Sequence, residues 1–224
     1  MARHALLSER ALESKSSEPA SAAQRASAWQ EQREMARRCR ACPLFAHATQ
    51  TVWGEGPIGA PLMLVGEQPG DQEDLQGRPF VGPAGKLLDR ALAELGWDRS
   101  VAYVTNAVKH FKWVPAPRGK RRMHKTPAQR EADACEPWLE REIALVQPHA
   151  LVALGATASR QLLKRPVAVL RERGHWIDRP DGLPVLVTLH PSALLRLRDD
   201  ELEVAYAAWL DDLRLAGRLA TAGR

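Results

Sequence analysis

Four cations and one histidine stand within six residues at Lys120-Arg121-Arg122-Met123-His124-Lys125. Pro115, Pro117, Gly119 and Pro127 surround them. Those residues disfavour a helix interior and predict a loop. A basic loop attracts phosphates. A histidine ringed by positive charge is favoured in its neutral form. Held against a nucleic-acid backbone, a neutral imidazole is a potential nucleophile or base; an idle histidine in a solvated basic loop is the plain alternative. A second constellation is made by the three cysteines, Cys39, Cys42 and Cys135. The Cys39-x-x-Cys42 spacing brings two thiolates within reach of one metal centre. Cys135 is a candidate third ligand, and a fourth must come from another residue type. Reduced thiols with no partner are the alternative. A redox dithiol fits less well, because Cys39 follows a basic helix-like stretch and not a strand.

The elements that must position these groups alternate in type. Residues 1–26 are rich in Ala, Ser and Glu and predict a mobile arm ahead of a single domain at 27–224. Ser27–Arg38 predicts a helix with Ser27 as its N-cap. Pro61–Gly66, Val101–Thr105, Ala150–Leu154 and Pro184–Leu189 are short apolar runs that predict buried strands. Helices are predicted over Pro83–Leu95, Ala128–Val146, Ala156–Leu163 and Glu201–Leu215. Leu87, Leu88, Leu92 and Leu95 share one face of the first. This alternation predicts an α/β fold: a three-layer αβα sandwich on a central, mainly parallel four-stranded sheet. Ligands in such folds bind at the carboxyl ends of the strands. There the first strand runs into Glu67 to Asp74, the second into Asn106 and the fourth into His190-Pro191-Ser192. Each alone reads as an ordinary turn; together at one sheet edge they predict a site. No nucleotide-binding fingerprint is present, and Gly82-x-x-Gly85-Lys86 is only a faint likeness of a phosphate loop.

The chain of 224 residues is 45% hydrophobic and 26% charged, with a net charge of +5 and a pI of about 9.4. An anionic partner is consistent with that balance. No apolar run approaches the roughly 20 residues that span a bilayer. The first residues lack a signal-peptide core, so a cytoplasmic protein with reduced cysteines is expected.

Four features together resemble one known family. They are GEQPGDQEDLQGRPFVGPAGKLLDRAL (Gly66 to Leu92), TNAVKHFKW (Thr105 to Trp113), the set Cys39, Cys42 and Cys135, and HPSALLR (His190 to Arg196). The combination resembles the iron–sulfur uracil-DNA glycosylases of family 4. Those enzymes carry a cysteine where His110 stands and lack the KRRMHK insertion. Both departures, with GEQPG in place of GEAPG, resemble the UdgX branch, which excises uracil and becomes covalently attached to DNA through the inserted histidine. The resemblance implies His124, Glu67 and His190 as catalytic groups. It implies Gln68, Asp71, Phe80, Asn106 and His190 around the uracil. Lys120, Arg121, Arg122, Lys125, Leu194 and Arg196 would contact DNA, although Leu194 and Leu195 could equally pack in the core. It also implies a [4Fe-4S] cluster on Cys39, Cys42, His110 and Cys135; spacing alone leaves zinc open for the same four residues. The implied partner is uracil-containing DNA, single- or double-stranded, acted on by a monomer.

Overall fold

The computed structural model describes residues 21–119 and 121–222. Lys120 and residues 1–20 of the expected arm lie outside the described residues. In chain order the helices are α1 (Ala22–Ala36), α2 (Asp71–Gln76), α3 (Pro83–Glu94), α4 (Gln129–Val146), α5 (Ala156–Leu163), α6 (Val169–Glu172), α7 (Pro191–Leu194) and α8 (Asp199–Ala222). The strands are β1 (Leu62–Gly66), β2 (Ala102–Asn106), β3 (Trp113–Pro115), β4 (Arg122–His124), β5 (Ala150–Leu154), β6 (Trp176–Asp178) and β7 (Pro184–Thr188).

The central sheet has the order β2-β1-β5-β7-β6. The first four strands are parallel, and β6 runs antiparallel to β7 at the edge. The expected four-stranded sheet therefore gains a fifth strand. At three residues, Trp-Ile-Asp is too short to stand out in a sequence pattern. Alternation along the strands explains the layers. Leu62 and Leu64 face Leu88, Leu92, Trp209 and Leu213 of α3 and α8. Met63 and Val65 face Leu139, Ile143 and Leu162 of α4 and α5. Both faces of the sheet are buried, which is why its strands read as continuous apolar runs.

Two local expectations are corrected. The first helix begins earlier than Ser27. Ser21 caps it by accepting from the Gln24 amide at 3.2 Å, while the Gln24 side chain accepts from the Ser21 amide at 2.7 Å. This is a reciprocal capping box. The basic segment is also not merely a loop. β3 and β4 form an antiparallel hairpin that pairs Trp113 with His124, Val114 with Met123 and Pro115 with Arg122. A proline is tolerated there because the two-stranded ribbon has open edges.

Candidate active site

The parallel strands deliver Glu67, Asn106 and His190 to one end of the sheet, where a cavity of about 600 Å³ opens. Phe80, Gly155 and His124 also line it. Gly66 makes the convergence possible. A Cβ there would stand 2.4 Å from Asn106 Oδ1 and 2.7 Å from Phe80 Cζ. Only glycine lets the two side chains meet across the end of β1.

Phe80 is held in a left-handed backbone conformation, φ 54°. Such strain persists only where the surroundings over-determine it. Here Glu73 accepts from the amides of Gly70 (3.0 Å), Val81 (3.0 Å) and Gly82 (2.7 Å), clamping the loop on both sides of Phe80. Arg99 donates to the Phe80 carbonyl at 2.8 Å. The sequence pattern pointed to neither residue; the three-residue spacing from Gly70 to Glu73 was the available signal. Gly85 completes the clamp, since a Cβ there would lie 1.9 Å from the Phe80 oxygen. Gly85→Ala should therefore cost about 1–3 kcal/mol of stability through overpacking. It should also slow whatever chemistry uses the Phe80 ring, as thermal melts and single-turnover rates would report.

His190 is neutral and its tautomer is defined. Its Nδ1 accepts from the Ser192 amide at 3.1 Å and lies 2.8 Å from Ser192 Oγ. The proton is therefore on Nε2, which becomes a donor. Its ring stacks near Phe80, centroids 6.1 Å apart. Burial pushes His190 from 6.5 down to about 4, the opposing pull of Glu67 being weaker. The unfolded chain takes up a proton as pH falls through 6.5, whereas the folded chain refuses it until about 4. That stability is therefore complete above pH 6.5 and is lost progressively toward pH 4. Thermal melts between neutral pH and about pH 4 should record the fall, and His190→Asn should show less of it.

The hairpin brings His124 to the same cavity. His124 Nε2 lies 3.1 Å from Glu67 Oε1. Glu67 also accepts from Thr157 Oγ1 at 2.6 Å. Burial alone would raise the Glu67 carboxyl; hydrogen bonds from His124 and Thr157 overcome it and leave it below its ordinary value. Residues two apart share a strand face, so Arg122 turns the same way as His124. Its Nε donates to Asp71 Oδ1 and its Nη1 to Asp74 Oδ2, both at 2.6 Å. The guanidinium also lies over Phe111 and Trp113. Gln68 finishes the mooring: Oε1 accepts from the Lys112 amide at 2.9 Å, and Nε2 donates to the Lys112 and Lys125 carbonyls, both at 3.2 Å.

These contacts correct several expectations. Arg122 faces inward as a strut between two carboxylates, so it is not placed to grip a phosphate. Asp71 and Gln68 line the cavity, but the Gln68 amide is engaged at both ends with the hairpin and Asp71 gives one oxygen to Arg122. Leu194 is fully buried in the core, and Leu195 is the exposed one, lining the cavity with Arg196. A short helix turns adjacent leucines in different directions, and nothing in the run Leu194-Leu195 says which is inside. Arg121 lines the cavity mouth. Lys125 is exposed beside it.

The candidate metal residues come from the end of α1, the chain after β2 and the middle of α4. Cys39 follows α1, Cys42 opens a short turn and Cys135 sits in α4. Cys39 Sγ accepts from Trp138 Nε1, and Cys135 Sγ from the Lys109 amide, each at 3.2 Å. Cys42 and Cys135 pack with Leu44, Val108 and Ala132. Burial pushes Cys135 up to about 11, against the pull of the Lys109 charge, and the nearby Cys42 and Cys39 sulfurs add to the rise. Burial also raises Cys42. His110 is buried and pushed down to about 4, chiefly by burial. Thr51 Oγ1, which donates to the Ala36 carbonyl, lies 2.9 Å from His110 Nε2. Thr51 can then only accept, so Nε2 is the protonated nitrogen. His110 Nδ1 is buried without a partner. A neutral imidazole with an orphaned lone pair, one residue on from the Lys109 amide that donates to Cys135 Sγ, suits a thiophilic metal group. Among the described residues, no three such side chains close around a single metal ion.

Comparison with known proteins agrees with this geometry. Residues 53–214 match the Uracil DNA glycosylase superfamily. A protein of Thermotoga maritima named type-4 uracil-DNA glycosylase is 41% identical over 170 residues, covering 75% of this chain and 84% of that protein. One of the same name from Pyrobaculum aerophilum is 35% identical over 170 residues, 73% of this chain and 82% of that protein. A type-5 uracil-DNA glycosylase from the same organism is 30% identical over 173 residues, 68% of this chain and 72% of that protein. With the family match running from ahead of β1 into the last helix, across every strand of the central sheet, this chain belongs to the uracil-DNA glycosylase superfamily.

Proposed function

We propose that this protein excises uracil from DNA and is then captured by its own product through His124. The observation that carries the capture is the 3.1 Å contact between His124 Nε2 and Glu67 at the cavity mouth. Superfamily membership and the names of the relatives support the excision. In this reading a uracil flipped from the stack, or taken from a single strand, enters the cavity. Phe80 stacks on its ring. The Asn106 amide pairs with O4 and N3–H, and would oppose the amino group of cytosine at a cost of roughly 1–3 kcal/mol. As the C1′–N1 bond breaks, its electron pair goes to the base. His190 Nε2–H then donates to uracil O2, where the negative charge develops. The sugar becomes an oxocarbenium-like cation. Glu67, kept ionised, accepts from His124 Nε2–H and leaves the imidazole lone pair on Nδ1. Attack by Nδ1 on C1′ gives an imidazolium adduct whose charge Glu67 balances. Arg121, Lys125, Arg196 and the exposed Leu195 are the DNA contacts around the mouth.

The relatives' names favour a second reading, an ordinary type-4 glycosylase in which water attacks C1′. Incubation with excess uracil-containing oligonucleotide separates them. Capture predicts a protein–DNA band that survives heat and detergent, with no more than one equivalent of uracil released. Many equivalents without that band identify the ordinary enzyme. No released uracil identifies a non-catalytic DNA binder.

The proposal includes a [4Fe-4S] cluster on Cys39, Cys42, Cys135 and His110 Nδ1. Its chemistry there would be structural, pinning α1, α4 and the chain after Asn106 around the start of the hairpin. Anaerobically purified protein should be brown and contain iron with acid-labile sulfide. Stoichiometric zinc without sulfide would eliminate the cluster.

A further inference from the structure

Beneath the cavity a charged pair is sealed from solvent. Lys109 and Glu142 are both fully buried, and the ammonium donates to the carboxylate. Lys109 Nζ also donates to Thr105 Oγ1 at 2.8 Å and to the backbone carbonyl of Asn106 at 2.6 Å. Glu142 accepts from the Gly54 amide (2.7 Å), Tyr103 Oη (2.9 Å) and Thr105 Oγ1 (2.8 Å). Trp29 Nε1 donates to Tyr103 Oη at 2.8 Å, so α1 is latched to the same network.

A buried ion pair is weak evidence for stability, because neutral residues of similar volume commonly do as well. Its geometry here suggests another role. β2 is an edge strand. The Ala107 amide donates inward to the Gly66 carbonyl at 2.9 Å. Strand alternation therefore points the Asn106 carbonyl outward, on the side where Glu55 bridges β2 at Val104 two residues earlier. Lys109 Nζ is the group that holds it. The Lys109 amide donates to Cys135 Sγ at 3.2 Å, so one residue grips both the base-reading strand end and a candidate cluster ligand.

We propose that Lys109, with Glu142 as its counter-charge, is a positioning residue that fixes the Asn106 peptide and thereby the amide that selects uracil. The proposal rests on the uracil pocket described above. With the peptide that follows it held at both the Ala107 amide and the Asn106 carbonyl, Asn106 presents its side chain in one orientation. Released at the carbonyl, it wobbles at the end of an edge strand, and base discrimination weakens before the fold does.

The test is a neutralised pair, Lys109→Met with Glu142→Gln, in the full-length protein. The amide introduced by Glu142→Gln retains an acceptor for Gly54 and Tyr103 and a donor for Thr105. The melting temperature and the affinity for uracil-free DNA should stay near the parent values. Single-turnover uracil excision should fall at least about tenfold, and the preference for uracil over cytosine should fall with it. Asn106→Ala should cost much less in this background than in the parent, because coupled residues are not additive. Parent-like rate and selectivity, or fully additive losses, overturn the proposal. So does a neutralised pair that fails to fold, since the pair's work would then be stability. A parent protein that releases no uracil overturns the pocket reading and this proposal with it.

Discussion

His124→Ser should abolish the heat-stable protein–DNA band completely while leaving uracil release intact. Serine offers no ring lone pair, and its hydroxyl is too short to reach from β4 to both Glu67 and a sugar at the cavity mouth. Water then gains access to C1′, the sugar product dissociates, and each protein should release many equivalents of uracil. The change is from one turnover to many, read on a denaturing gel with labelled oligonucleotide in excess. His124 is exposed at 41% of its side chain, so the substitution removes little packing, and the melting temperature should hold. A covalent band of parent intensity in His124→Ser would sink the assignment. Arg122→Ala makes a useful companion. It leaves His124 present but cuts the strut to Asp71 and Asp74, so adduct formation should slow without disappearing.

Asn106→Ala carries the other large effect. Its amide lines the cavity at the end of β2 and is buried there, whereas that of Gln72, which also lines the cavity, is exposed on α2. Losing both hydrogen bonds to the uracil edge should slow excision at least about 100-fold, comparable with deleting one oxyanion donor. The stability change should stay within about 1 kcal/mol, since little apolar contact is lost. Single-turnover rates and thermal melts on the same preparation check both halves. Excision at the parent rate would mean that uracil binds elsewhere.

Much of the site was legible because strand ends are legible. Short apolar runs that stop at Gly66, Thr105 and Leu189 locate the carboxyl edge of a parallel sheet, and Glu67, Asn106 and His190 stand on it. The clamp on Phe80 was not legible. Glu73 reads as one more acid in an acidic turn until its carboxylate is seen to hold three amides at once. The same is true of Lys109 and Glu142, which are 33 residues apart and meet only through packing of α4 against β2.

The amino-acid sequence by itself determined the α/β layering, the parallel strands and the polar groups that crown them, because hydrophobic periodicity and strand ends are local properties of the chain. It also determined that a histidine stands among cations, but not where that histidine points. Tertiary structure decided that Arg122 turns inward, because Asp71 and Asp74 of α2 and the Phe111 and Trp113 rings lie opposite its strand face and together replace the water it gives up. It decided that Leu194 fills the core and Leu195 lines the cavity, because the direction of a four-residue helix is set by what it packs against. It alone brought His124 to Glu67, since a hairpin and a strand end from distant parts of the chain meet only when the arginine strut and the Gln68 clamp hold them in register.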